Sequence, residues 1–475
     1  MNSDDIFDGI TDIRDDLVDG AKTGSGKKKR RLKKLWFGAV AAVLILAILT
    51  GIFLRPENAL TAYAIAQAKY PEMAPYPGEP HSQRAYEAWR EDVKAQRRDL
   101  GDTSSLRSFF ALSARTFLTD TKGQNKICSP LNIYMALAML AQLTDGESRE
   151  QILTLLGSDS MDALRKQASD VWNSNYRDDG ALTSILAGSV WLNENVNFRQ
   201  ETMDILAQEF YASSYRGEMG SQKFNRALQE WLNEQTGGLL KEQAGNIAMD
   251  SETILALATT VYLKAKWYHE FSKKGTAPRI FHSPAGDVET DFMYQRDDQT
   301  YFWGDKFAAV CQSFEEGGSM WFLLPDKGVT PEDLLSDEET MEFLFLSNRW
   351  ENQKFLFVNK YVPKFDVSSQ FDLSDGLQEM GITDIFDPAV SDFSSMTTDV
   401  TPEPIILSQA NHATRVVIDE EGCTAAAFTV MLGAGAAWPP DEEVDFILDR
   451  PFLFCITGDS GLPMFVGVVN YPAGS

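Results

Sequence analysis

Residues 35–54 form a run of twenty positions without one ionisable side chain, and the run directly follows Lys27-Lys28-Lys29-Arg30-Arg31-Leu32-Lys33-Lys34. At about 1.5 Å per residue a helix of that length crosses a hydrocarbon layer of about 30 Å, so the run is a candidate transmembrane helix. The rivals are a buried core helix and a cleaved secretion signal, for which Ala62-Tyr63-Ala64 offers a small-x-small cleavage site. The run is longer than the roughly 7–15 apolar residues of a signal core. It also follows a 34-residue polar leader, and both facts favour an anchor. The basic flank puts 1–34 in the cytoplasm and everything after Arg55 outside, as a single-pass protein of the cell membrane.

The charge is segregated around that run. The 475 residues carry −26 in total, but residues 1–26 hold −5 and 27–34 hold +7, so the remainder holds −28. The only basic run is the membrane flank, which speaks against a nucleic-acid partner. Four cysteines (Cys128, Cys311, Cys423, Cys455) with no CxxC pair, and four scattered histidines (His81, His269, His282, His412), give no metal or disulfide framework. No cofactor is expected. At about 150 residues per domain the length suggests about three domains, with one large domain as the alternative.

Residues 55–100 read as an extracellular spacer. Four prolines and Gly78 lie in 71–80, a stiff extended segment, and 82–98 is helix-compatible, with Ala85, Ala88, Trp89 and Val93 at helical spacing. The domain is expected over 101–475. Ser129-Pro130 opens a helix there, with Ile133, Ala136, Leu137 and Leu140 on one face; a second helix starts at Glu147 and stops at Gly157. Strand patterns follow at 319–324, 355–362, 414–418, 451–456 and 464–469. Helices first and strands later predict an α+β fold.

Two segments invite a chemical reading. Gly458-Asp459-Ser460-Gly461 resembles the nucleophile loop of chymotrypsin-like proteases, but no histidine lies in a matching context, and Asp-Ser-Gly between apolar strands is ordinary turn chemistry. Residues 419–440 hold Asp419-Glu420-Glu421-Gly422, then Cys423-Thr424-Ala425-Ala426-Ala427-Phe428-Thr429, then a Gly/Ala-rich stretch. This is either a flexible linker or a strand in waiting, whose small alternate side chains would slip between existing strands.

From about residue 104 onward the motifs fall in a recognisable order. Cys128-Ser129-Pro130-Leu131-Asn132-Ile133, Trp231-Leu232 with Thr236-Gly237-Gly238, and Val261-Tyr262-Leu263-Lys264-Ala265-Lys266-Trp267 come first. Phe271, Thr276, Phe281 and Met293 continue the spacing, followed by Pro363-Lys364-Phe365, Met380-Gly381-Ile382 and Asp392-Phe393-Ser394. The end is closest: His412, Glu420-Glu421-Gly422, Pro451-Phe452-Leu453-Phe454 and Phe465-Val466-Gly467-Val468-Val469-Asn470. In these motifs the chain resembles the serpin family.

The resemblance implies three β-sheets, about eight or nine helices and an exposed reactive loop, here about 422–445, which enters the main sheet after a protease cuts it. It implies a suicide-substrate inhibitor rather than an enzyme, with a noninhibitory surface-binding serpin as the alternative. Glu420, Glu421, Gly422, Cys423, Thr424, Ala425, Ala426, Ala427, Phe428 and Thr429 correspond to the hinge, where Cys423, Ala425, Ala427 and Thr429 would face one side of the inserted strand. Family spacing puts the reactive bond at Ala436–Ala437. A small residue there points to an elastase-like serine protease as partner, with a cysteine protease as a second class. Ser129, Asn132, Thr259, Trp267 and His412 correspond to the region that controls sheet opening. Cys423 stands where Thr or Ser is usual, Asn132 where Ser is usual and Thr259 where Asn is frequent. The acidic cytoplasmic leader with one anchor and few cysteines points to a bacterial cell surface.

Overall fold

The computed structural model describes residues 60–472 apart from 79, 80, 99, 102, 347–349, 398, 400–403, 409 and 424–441. The leader and the anchor expected over 35–54 lie outside the described residues. Among the described residues no helix is long and apolar enough to cross a membrane.

Numbered along the chain, seventeen strands make two sheets among the described residues. The main sheet runs β1 (Ala64–Ala66), β5 (Ala212–Gly217), β4 (Thr183–Asn193), β6 (Leu255–Lys266), β14 (Gly422–Cys423), β13 (Asn411–Ile418), β12 (Phe365–Asp372), with β3 (Arg177–Asp178) on β4. The second runs β15 (Glu443–Ile447), β11 (Gln353–Pro363), β8 (Gly286–Trp303), β9 (Phe307–Ser313), β10 (Ser319–Pro325), β16 (Phe452–Thr457), β17 (Pro463–Val469), β2 (Lys126–Cys128), with β7 (Ala277–Ser283) on β8. The expected third sheet is therefore continuous with the second. The cause is β8, whose 18 residues pair with β7 at the start, with β11 along the middle and with β9 at the end.

Eleven α-helices occur among the described residues, above the eight or nine expected, because single turns such as Lys241–Ala244 and Pro331–Leu335 add to the long ones. The helix Pro130–Leu143 runs between the sheets, against β17 on one side and β6 on the other. It starts where expected: the Ser129 side chain accepts from the Asn132 N–H and Pro130 occupies the first turn. Of its residues only Ala136 is not buried, so the helix reads as apolar all round rather than amphipathic. Gly157, at φ +64°, closes the next helix, Gly146–Leu156. Residues 452–457 and 463–469 are buried throughout, since both faces of β16 and β17 are covered.

The described residues from Tyr63 onward pack as one unit. From Tyr63 on, the stretch read as a spacer is, where described, part of that unit and laid against its body. Its helix Gln83–Gln96 buries Trp89 and Val93, two of the four residues at the expected spacing.

Candidate functional site

At the end of β13 the chain turns through 419–421 and re-enters the main sheet as β14, which stands between β6 and β13. Cys423 lies opposite Ala265 of β6 and opposite Ile418 of β13, and Gly422 lies opposite Lys266. Cys423 is 3% exposed, and burial pushes its thiol up to about 12, so it stays protonated at neutral pH. A Cβ on Gly422 would stand 2.2 Å from the Ala265 carbonyl oxygen, so the close approach of the two backbones requires glycine.

The turn is held from both sides. Asp419 Oδ1 accepts from the N–H groups of Glu421 (2.9 Å) and Gly422 (3.1 Å). Residues 267–271 bind every carbonyl of the turn. Trp267 Nε1 donates to Asp419 at 2.8 Å, the Trp267 N–H to Glu421 at 3.0 Å, and the Phe271 N–H to Glu420 at 2.9 Å. The Trp267 indole in turn stacks on Phe314, centroids 5.0 Å apart and planes at 12°. Glu420 is buried. Its carboxylate accepts from Thr276 Oγ1 at 2.7 Å and pairs with Lys364 Nζ at 3.0 Å. Burial alone would raise its pKa, but these bonds outweigh it and hold the carboxyl below its ordinary range. Glu421 pairs with Lys273.

A second cluster lies at the start of the central helix. The Ser129 N–H donates to His412 Nε2 at 3.1 Å, and Asn132 Nδ2 donates to the Thr259 carbonyl at 3.2 Å. His412 belongs to β13 and Thr259 to β6, so one helix terminus grips both strands that flank β14. Burial pushes His412 down to about 4, which leaves a neutral imidazole with its proton on Nδ1. Between these anchors a small cleft of about 40 Å³ is walled by Ile133, Leu137, Leu257, Thr259, Leu407 and His412. All five residues expected to control sheet opening therefore touch β6, β13 or the turn: Ser129, Asn132, Thr259 and His412 at one level, Trp267 at the other.

Of the expected hinge, Glu420, Glu421, Gly422 and Cys423 are described. Thr424, Ala425, Ala426, Ala427, Phe428 and Thr429, and the bond Ala436–Ala437, lie outside the described residues. Sequence reasoning passed over Lys364, Thr276, Lys273 and Phe314 as site residues. The only signal for Lys364 was its place in the motif Pro363-Lys364-Phe365. Ser460 sits in the β16–β17 hairpin. Its hydroxyl donates to Asn175 Oδ1 at 2.6 Å and accepts from the Leu462 N–H at 3.1 Å, the arrangement of a turn.

Comparison with known proteins matches residues 105–472 to the family described as Serpin (serine protease inhibitor). Serpin-Z1C of Triticum aestivum is 28% identical over 362 residues, covering 73% of this chain and 90% of the relative. Such plant relatives lend no support to a bacterial source. Among solved structures, the native state of the thermophilic serpin tengpin superposes with a TM-score of 0.69 at 23% identity, covering 79% of this chain and 96% of that one. Human thyroxine-binding globulin gives 0.67 at 21% identity, over 79% and 100%.

Proposed function

The chain belongs to the serpin family, and from that premise we propose that it traps a serine protease by inserting its cut loop between β6 and β13. The observation that carries this reading is the position of Cys423, already seated in that slot with its side chain buried. Side chains alternate along a strand, so Ala425, Ala427 and Thr429 would follow Cys423 to the inner face. Phe428 would face outward.

In this reading the protease serine oxygen bonds to the carbonyl carbon of Ala436, and the peptide bond to Ala437 breaks. The amine of Ala437 leaves with the proton handed on by the protease's base. Before cleavage the loop is tied at one end to β14 and at the other to β15, which pairs parallel with β11, so the longer strand is kinetically out of reach. The cut frees the β14 side. Insertion then carries the ester-linked protease away before water can release it. Ala436 suits a shallow primary pocket, and no Lys or Arg lies between Gly422 and Asp449, which favours an elastase-like enzyme over a trypsin-like one. Residues 35–54 would tether the domain outside the membrane.

The test is incubation of the protein with elastase, read by denaturing gel and mass spectrometry. The expected result is an SDS-resistant complex with its acyl bond at Ala436. Clean cleavage with no complex would sink the inhibitory reading. A noninhibitory binding role is the second reading, favoured by the departures from the family pattern at Asn132 and Thr259 in the opening region. It predicts no large rise in thermal stability when the loop is cut.

A further inference from the structure

Residues 63–97 contribute nothing to the inhibitory chemistry, yet they touch both parts of the fold that loop insertion must move relative to one another. At one end β1 pairs with β5. Ala64 lies opposite Tyr215, and the Arg216 N–H donates to the Tyr63 carbonyl at 2.8 Å. The Tyr63 ring lies 5.0 Å from Phe224, on the helix Gln222–Gln235. Midway, Tyr70 packs against Trp172 and Tyr176 at 5.2 and 5.4 Å. At the far end the helix Gln83–Gln96 and the residue after it rest on two hairpin tips of the second sheet. Tyr86 donates to Glu316 Oε1 at 2.8 Å, and Arg97 pairs with Asp459 at 2.7 Å. Beneath the helix, Arg177 lies 5.3 Å from the Trp89 ring and pairs with Asp179 (2.7 Å) and Asp459 (3.2 Å).

The hairpin tip that carries Glu316 also reaches the hinge. Phe314 stacks on Trp267, and the Glu315 N–H donates at 2.9 Å to the carbonyl of Lys266, the residue opposite Gly422. A continuous set of contacts thus joins Tyr86, the 314–316 tip, Trp267 and the turn 419–421. For β14 to lengthen, β6 must part from β13 and take β4 and β5 with it. A segment bonded to β5 at one end and to the second sheet at the other must then strain or let go.

We propose that residues 63–97 are a brace that keeps the slot between β6 and β13 closed in the uncut protein, and that the helix Gln83–Gln96 must undock before the loop enters. The proposal rests on the insertion reading above. An isolated helix of 14 residues is marginal in water, so this one owes its existence to docking and is built to be released as a unit.

The test uses the full chain with its loop uncut. Amide hydrogen exchange, followed by mass spectrometry, is compared between wild type, Tyr86→Phe and Trp89→Ala/Val93→Ala. The brace predicts that exchange over 419–423 and 264–268 quickens by tenfold or more in the double variant and by a smaller factor in Tyr86→Phe, which keeps every packing contact. If 83–96 loses protection while 419–423 exchanges as in wild type, the brace is overturned. If the double variant does not fold, unchanged exchange over 419–423 in Tyr86→Phe overturns it equally. Failure of the insertion reading is separate: cutting the wild-type loop would then bring no rise in thermal stability, whatever the exchange rates.

Discussion

Glu420 is the residue on which the uncut state leans most directly, because it is the one buried carboxylate of the turn and Thr276 and Lys364 both aim at it. Glu420→Gln keeps the shape and removes the charge, so stability at pH 7 should fall by about 1–3 kcal/mol. The pH dependence has a definite sign. A carboxyl whose folded pKa lies below its ordinary 4.5 adds stability above that value and loses it as pH falls through the folded pKa. Wild type should therefore lose stability on acidification below about pH 4.5 more steeply than Glu420→Gln, as read by denaturant titration at several pH values. Lys360 gives the same sign from a different cause. Burial lowers its ammonium from 10.5 to about 8, with Asp297 only partly opposing. Between these values the unfolded chain binds more protons than the folded one, so stability should rise with pH from about 8 to 10.5, on the order of 3 kcal/mol. Lys360→Met should abolish that rise. The sequence exposed Glu420 through its motif, but its partner lies 56 positions earlier in the link between β11 and β12, and no local pattern states that distance. Ser129 and Pro130 were legible for the opposite reason, since a helix cap acts on its own next three residues.

Among the elements, β14 is the shortest on which the proposed function depends, and its two residues are consequential because one is glycine. Gly422→Val places a branched side chain where even a Cβ meets the Ala265 oxygen, so it should unseat β14. If insertion proceeds from that seat, the partition between trapped complex and free cleaved protein should shift towards cleavage by about tenfold, or about 1.4 kcal/mol, on a denaturing gel. The strands predicted at 319–324, 355–362, 414–418 and 464–469 fall within observed strands, and that at 451–456 starts one residue before β16, because each carries a dense run of apolar or β-branched residues. The hairpin of β7 and β8 escaped notice. Between Gly286 and Trp303 the chain holds Asp287, Glu289, Asp291, Arg296, Asp297 and Asp298, residues poor in strand propensity, and pairing on both sides decides the conformation instead. The same miss hid the junction that makes two sheets out of three. The helix Gln83–Gln96 was visible as a helix but not as a docked one, since Trp89 and Val93 alone give a narrow apolar face.

At the scale of the whole molecule, net charge governs encounter more than fold. The −28 of residues 35–475 should steer a basic protease, so its association rate should fall steeply between low and physiological salt while the stoichiometry of trapping stays constant. Stopped-flow kinetics across ionic strength measures this directly, and a flat profile would remove electrostatics from the account. The motif order, rather than length, identified one large domain in place of three, because length alone does not tell a single large core from several small ones. β1 has one more consequence. Without it, β5 would end the main sheet as an open six-residue ladder, a template for a neighbour's strand. With Ala64–Ala66 laid along it, the rim ends in three residues followed by a proline-rich stretch that offers little to pair with. On that flank, molecules crowded side by side on a surface would remain separate rather than stitch into fibres.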